Sequence, residues 1–145
     1  MNVTGGCACG AVRFTLNGPL RPVINCHCSR CRHWTGHFMA ATNTHRDDLS
    51  FNRGDDSVKW WIPDEEPTVA YGFCTHCGGS LFWRSSSKPG RYSITAGALD
   101  PPTGLDTVHA LFTAEASDYH RLDPDLPHHP YDSGDGGVVI EGGWK

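Results

Sequence analysis

Short stretches of alternating apolar and polar residues recur along the chain. In residues 11–16, Val12, Phe14 and Leu16 point to one side of an extended strand while Arg13 and Thr15 point to the other. Comparable runs occupy residues 38–42, 58–62, 69–73, 80–83, 91–96 and 108–114. Breakers separate them: Asn17-Gly18-Pro19, Asn52-Arg53-Gly54-Asp55, Pro63-Asp64, Lys88-Pro89-Gly90 and Asp100-Pro101-Pro102. No segment keeps a helical period over three turns, and residues 29–36 and 118–122 are the best short helices. The pattern therefore predicts a mainly β domain, mostly antiparallel, with few short helices. Within it, the adjacent Trp60 and Trp61 fall on opposite faces of their strand, one buried and one exposed.

Composition narrows the class. A chain of 145 residues, 38% of them hydrophobic, has the length of one domain and enough apolar material for a core. No run approaches the ~18–20 apolar residues of a membrane helix, and the first residues lack the basic start and apolar stretch of a secretory signal. A cytoplasmic location without membrane attachment is the expectation. The net charge of −4 argues against a nucleic-acid partner held through phosphates, a zinc ribbon included. From Pro124 the chain turns stiff and Pro/Gly-rich, which predicts a domain over residues 1–123 and an extension over 124–145. That extension reads as a loose tail with one edge strand at residues 138–140. The rival readings have it folding back over a pocket with Trp144 or pairing with a neighbouring subunit. The oligomeric state is left open.

The seven cysteines change the picture most. An odd count without an export signal does not fit a secreted disulfide scaffold. The thiols fall into three clusters: Cys7-Ala8-Cys9 followed by Gly10, Cys26-His27-Cys28-Ser29-Arg30-Cys31, and Cys74-Thr75-His76-Cys77 followed by Gly78-Gly79. Two thiolates on one tight turn reach a single zinc at ~2.3 Å, and a glycine after the pair lets the backbone turn under the sulfurs. A closed structural zinc takes four ligands, whereas a catalytic one commonly keeps three and an open position. Seven divides into Cys7, Cys9, Cys74 and Cys77 for a closed site and Cys26, Cys28 and Cys31 for an open one, two ions per chain. Spacing alone leaves open a site shared between the 26–31 cluster and Cys74/Cys77, a single metal with spare thiols, and iron in place of zinc.

The surroundings of the clusters add candidates. Arg30, Arg32, His27 and His33 interleave with or adjoin the three-cysteine loop, where they lower thiol pKa values and attract an anion. His33 and His37 flank Trp34-Thr35-Gly36, each a fourth ligand or proton carrier, with an ordinary surface histidine as the plain alternative. His76 reads as a spacer and His128-His129 as tail. A thioredoxin-like role does not fit, because Cys74-Cys77 leads from one strand into another rather than into a helix.

Three segments carry a resemblance: residues 5–14, Gly-Gly-Cys-Ala-Cys-Gly-Ala-Val-Arg-Phe; residues 26–36, from Cys26 to Gly36; and residues 73–78, from Phe73 to Gly78. In order, spacing and flanking glycines the chain resembles the glutathione-dependent formaldehyde-activating enzyme family, which includes the centromere protein V type domain, over roughly residues 5–123. The resemblance implies a β-tent of antiparallel sheets pinned by zinc, with Cys7, Cys9, Cys74 and Cys77 as the structural site and Cys26, Cys28 and Cys31 as the catalytic one. It implies a carbon–sulfur lyase that joins formaldehyde and glutathione, or splits S-hydroxymethylglutathione. In that setting His33 or His37 is the acid/base, and Arg30 or Arg32 orients a substrate carboxylate. A non-catalytic zinc-stabilised interaction module, presenting Trp60, Trp61 or the tail to a protein partner, is the competing reading.

Overall fold

The computed structural model describes residues 2–132, so the expectations for residues 138–140 and Trp144 lie outside the described residues. Among these, ten strands and one α-helix follow in the order β1 (Val3–Gly6), β2 (Arg13–Leu16), β3 (Val23–Cys26), α1 (Ser29–Thr35), β4 (Met39–His45), β5 (Leu49–Arg53), β6 (Val58–Trp61), β7 (Val69–Cys74), β8 (Ser80–Ser85), β9 (Arg91–Thr95) and β10 (Thr107–Leu111). They form a three-stranded sheet, β1-β2-β5, and a seven-stranded sheet, β10-β3-β4-β9-β8-β7-β6. The mainly β expectation holds. Every strand pair is antiparallel except the outermost one, β10 beside β3, which is parallel.

Strand register sorts the side chains of the large sheet into two faces. Gly72 pairs with Phe82, Phe82 with Ile94 and Ile94 with Thr42, so these four form one row. That face meets the small sheet through Val12, Phe14, Leu16 and Leu49, and Phe14 packs on Phe82 with ring centroids 5.3 Å apart. Val12, Phe14 and Leu16 are fully buried, as their alternation requires. Each such side chain contributes about 1.5–3 kcal/mol relative to exposure. The opposite face carries Met39, Ala41, Val69 and Tyr71, and there Cys31 of α1 packs against the sheet.

Two local expectations are corrected. Residues 118–122 form a turn rather than a helix, closed by the His120 amide on the Ser117 carbonyl (3.1 Å). The rings of Tyr119 and His120 pack instead against His37 and Phe38, which holds the segment open. The run at 108–114 leaves the sheet after Leu111 and makes a 3₁₀ turn at Thr113–Glu115. Beyond Pro124 the described residues continue along β10. The Ala110 amide donates to the Pro127 carbonyl and the His129 amide to the Ala110 carbonyl, while Phe112 donates to Tyr131. No helix of the described residues is long and apolar enough to cross a membrane.

Candidate metal centres and an adjoining cavity

The seven sulfurs gather into two groups, four and three, and in each all Sγ atoms lie within 4.8 Å of one another. Cys7 and Cys9 sit in the turn between β1 and β2, Cys74 ends β7, and Cys77 lies in the turn between β7 and β8. The two turns are built alike. Gly10 and Gly78, each directly after the second cysteine, adopt φ of 78° and 74°, a left-handed conformation that costs glycine little. Backbone amides of Val12, His76 and Gly79 then point at Cys7, Cys74 and Cys77, at 3.3, 3.4 and 3.4 Å. The Cys9 and Gly79 amides hold the Cys77 thiol down at about 6. Arg13 raises the positive field beside Cys7, and Arg53 donates to the Gly10 carbonyl (2.9 Å).

The spacing tests the fit to a metal. Two sulfurs bound to one tetrahedral zinc stand ~3.8 Å apart. Cys7 and Cys9 are separated by 3.6 Å, and Cys9 and Cys74 by 3.9 Å. The four-sulfur group thus matches a soft, four-coordinate ion, and both groups can hold one.

The three-sulfur group is local. Cys26 ends β3, Cys28 caps α1 and Cys31 lies one turn into it. The Cys31 amide donates to the Cys28 sulfur at 3.3 Å, and the free Ser29 amide is taken up by Glu115 Oε1 at 3.1 Å. The neighbouring Cys28 and Cys31 sulfurs, helped by burial, push the Cys26 thiol up. Hydrogen bonds from Cys26 and Cys31 pull the Cys28 thiol down.

A residue that the sequence pattern hides completes this group. Tyr71, 1% exposed in β7, brings its hydroxyl to 3.6 Å from Cys31 Sγ. Arg30 also hydrogen-bonds that hydroxyl, and its Nε reaches Glu65 at 3.4 Å. Burial, then the charge of Cys31, push the Tyr71 hydroxyl far above its ordinary range, which keeps its proton in place. Along the sequence Tyr71 is one more apolar position in an alternating strand, and nothing local marks it.

Above this group lies a cavity of about 600 Å³ lined by Ser29, Arg30, His33, Trp34, Trp61 and Glu65. Positions 30, 33 and 34 share one face of α1. Arg32 lies on the opposite face and donates to Ser117 Oγ at 3.4 Å. His37 belongs to a separate ring cluster, with its Nδ1 at 3.0 Å from the Tyr119 hydroxyl and its ring against Phe38 and His120. His27 is buried in that cluster, where desolvation, then His120, drives its pKa down to about 4. Of the paired candidates, then, Arg30 and His33 meet the cavity. His76 reaches Ser57 Oγ at 3.2 Å, and His128 and His129 lie along β10. Trp60 is half-buried against Phe82 and Tyr92, while Trp61 is 42% exposed, packs on Tyr71 and lines the cavity.

A family model described as glutathione-dependent formaldehyde-activating enzyme matches residues 2–115. Among solved structures, the crystal structure of a Rhodobacter sphaeroides protein is similar, with 25% sequence identity and a TM-score of 0.57 over 72% of this chain and 97% of that one.

Proposed function

Since the chain belongs to the glutathione-dependent formaldehyde-activating enzyme family, we propose that it is a zinc-dependent carbon–sulfur lyase acting on a thiol–carbonyl adduct of the S-hydroxymethylglutathione type. The observation that carries this reading is the junction of three free sulfurs with a polar cavity, since Ser29 and Arg30, between Cys28 and Cys31, are also cavity wall. Cys26, Cys28 and Cys31 would hold a zinc, which would supply Lewis-acid chemistry toward a substrate thiolate or an aldehyde oxygen. Cys7, Cys9, Cys74 and Cys77 hold a second, structural ion and tie the two sheets together. The chemistry sits in residues 1–123, with 124–145 as an extension whose residues 127–131 run along the β10 edge.

The remaining work falls to the chain's own groups. Arg30 offers its guanidinium to a carboxylate of a peptide-like thiol, the planar fork matching two oxygens at once. Trp34 and Trp61 wall the cavity and exclude water. Joining thiolate to aldehyde forms a C–S bond and leaves the former carbonyl oxygen needing a proton; splitting the adduct returns that proton. His33, exposed at the cavity, exchanges it with solvent. Tyr71 keeps its proton and positions the Cys31 sulfur through its hydroxyl. The thiol partner is glutathione, recognised through its carboxylates.

Cys28→Ser tests this assignment. Metal content is expected to fall from two ions to one per chain, and turnover of S-hydroxymethylglutathione by at least ~10³-fold, with the far-UV spectrum unchanged. Turnover at the parent rate in the one-metal variant would falsify the proposal.

A further inference from the structure

At the end of β8 remote from Cys74 and Cys77, a concavity of about 480 Å³ opens beside the β8–β9 hairpin. Its lining holds Arg46, Arg84, Lys88 and Arg91 and no acidic residue, although the chain as a whole has 16 acidic residues against 12 basic ones. The volume lies in the ~300–1,000 Å³ range of small-molecule sites. We propose that this is a second binding site, for a small phosphate monoester.

Arg84 and Arg46 are held in place by neutral groups. Arg84 lies over the Trp60 ring, 4.1 Å from its centroid, and donates to the Tyr92 hydroxyl at 3.1 Å. Strand register makes this arrangement: Phe82 faces Ile94, so two residues on Arg84 faces Tyr92. Arg46 approaches the same Tyr92 ring at 5.6 Å and donates to the Leu49 carbonyl at 3.2 Å. Arg91 Nε donates to Asn43 Oδ1 at 2.8 Å, with Asp48 acting on it from outside the lining. Among the described residues no carboxylate forms an ion pair with Arg46, Arg84 or Lys88. Gathering like charges around one concavity is unfavourable unless an anion shares it.

The chemistry of the lining selects the anion. A phosphate monoester brings a charge near −2 and three acceptor oxygens, which answers these three cations; a single carboxylate would leave two. Thr68 and Ser86 add hydroxyl donors, and Ile62, 51% exposed, offers an apolar wall for the ester group. None of its lining residues lines the cavity beside the three-sulfur group, so the inference stands apart from the lyase reading.

The experiment is a titration of the full chain with phenyl phosphate at low ionic strength, followed by calorimetry and by the fluorescence of Trp60 beneath Arg84. Saturable one-to-one binding is expected, weakened about 10-fold by Arg46→Gln or Arg84→Gln and about 3-fold by Lys88→Ala, and unchanged by Cys28→Ser. Lys88 lies on an exposed hairpin, so its variant reports even if Arg84→Gln disturbs packing on Trp60. Absence of saturable binding overturns the proposal. So does affinity indifferent to all three cation variants, affinity lost with Cys28→Ser, or benzoate binding as tightly as phenyl phosphate.

Discussion

The two thiol groups are made from the same atoms on different foundations. The four-sulfur group is assembled from two distant turns of matching design, with Cys9 and Cys77 exposed and backbone amides directed at three of its sulfurs. The three-sulfur group comes from one loop and the first turn of a helix, and its wall is shared with a cavity carrying Arg30, His33 and Glu65. In the proposed assignment, four donors from two sheets would close a site and secure the architecture. Three donors from one segment would leave a position open, beside the cavity that Arg30 and His33 line. Ligand number and the range of sequence spanned thus separate a clamp from a workplace better than cysteine identity does.

The sharpest break of that comparison is Cys77→Ser. Because zinc in such sites supplies apparent binding energy of about 10–16 kcal/mol that is also folding energy, the variant is expected to lose cooperative unfolding altogether in a urea titration followed by far-UV circular dichroism. A cooperative transition at the parent midpoint would mean the four-sulfur group is no clamp. Next in size is Tyr71→Phe. Removing the hydroxyl beside Cys31 is expected to lower kcat by about 10²-fold with KM nearly constant, while the unfolding midpoint changes by only the ~1 kcal/mol of a lost hydrogen bond. Unchanged kcat would reduce Tyr71 to a packing partner of Trp34 and Trp61. The smallest effect separates the two faces of α1. Arg30→Gln is expected to raise KM for the glutathione adduct about 10-fold, whereas Arg32→Gln, on the Ser117 side, leaves it within about twofold; equal effects would sink the assignment of the cavity face.

Legibility in the sequence followed the range of the interactions. The grouping of sulfurs into close pairs was visible because each turn is a local object of three or four residues with its own glycine. Strands with one buried face were visible too, as in Val12, Phe14 and Leu16. β1, β3 and β5 were not. In β1, Gly5 lies where a side chain would collide with Phe14, at 2.7 Å from its ring, so packing has selected the residue and erased the alternation. In β3, Val23 and Ile24 are both buried, because the strand lies inside the sheet between β4 and the parallel β10, and a strand covered on both faces shows no period. The site's second rank was hidden for a related reason: Tyr71 and Glu65 reach the cysteine loop only through tertiary folding. The same folding sorts Arg30 from Arg32 and His33 from His37, pairs that the sequence presents as equivalents.

The parallel pairing of β10 with β3 also sets a timetable. Cys26 sits beside Leu111, whose carbonyl accepts the His27 amide at 2.9 Å, so the loop bearing three sulfurs gains its β10 neighbour only when that distant strand has been synthesised. The four sulfurs of the other group are all present once Cys77 has emerged. At about 5–20 residues per second the interval lasts a few seconds. A growing chain therefore has its four-sulfur group complete first and its three-sulfur loop afterwards, and the order of the strands would set the order in which the two proposed sites can load.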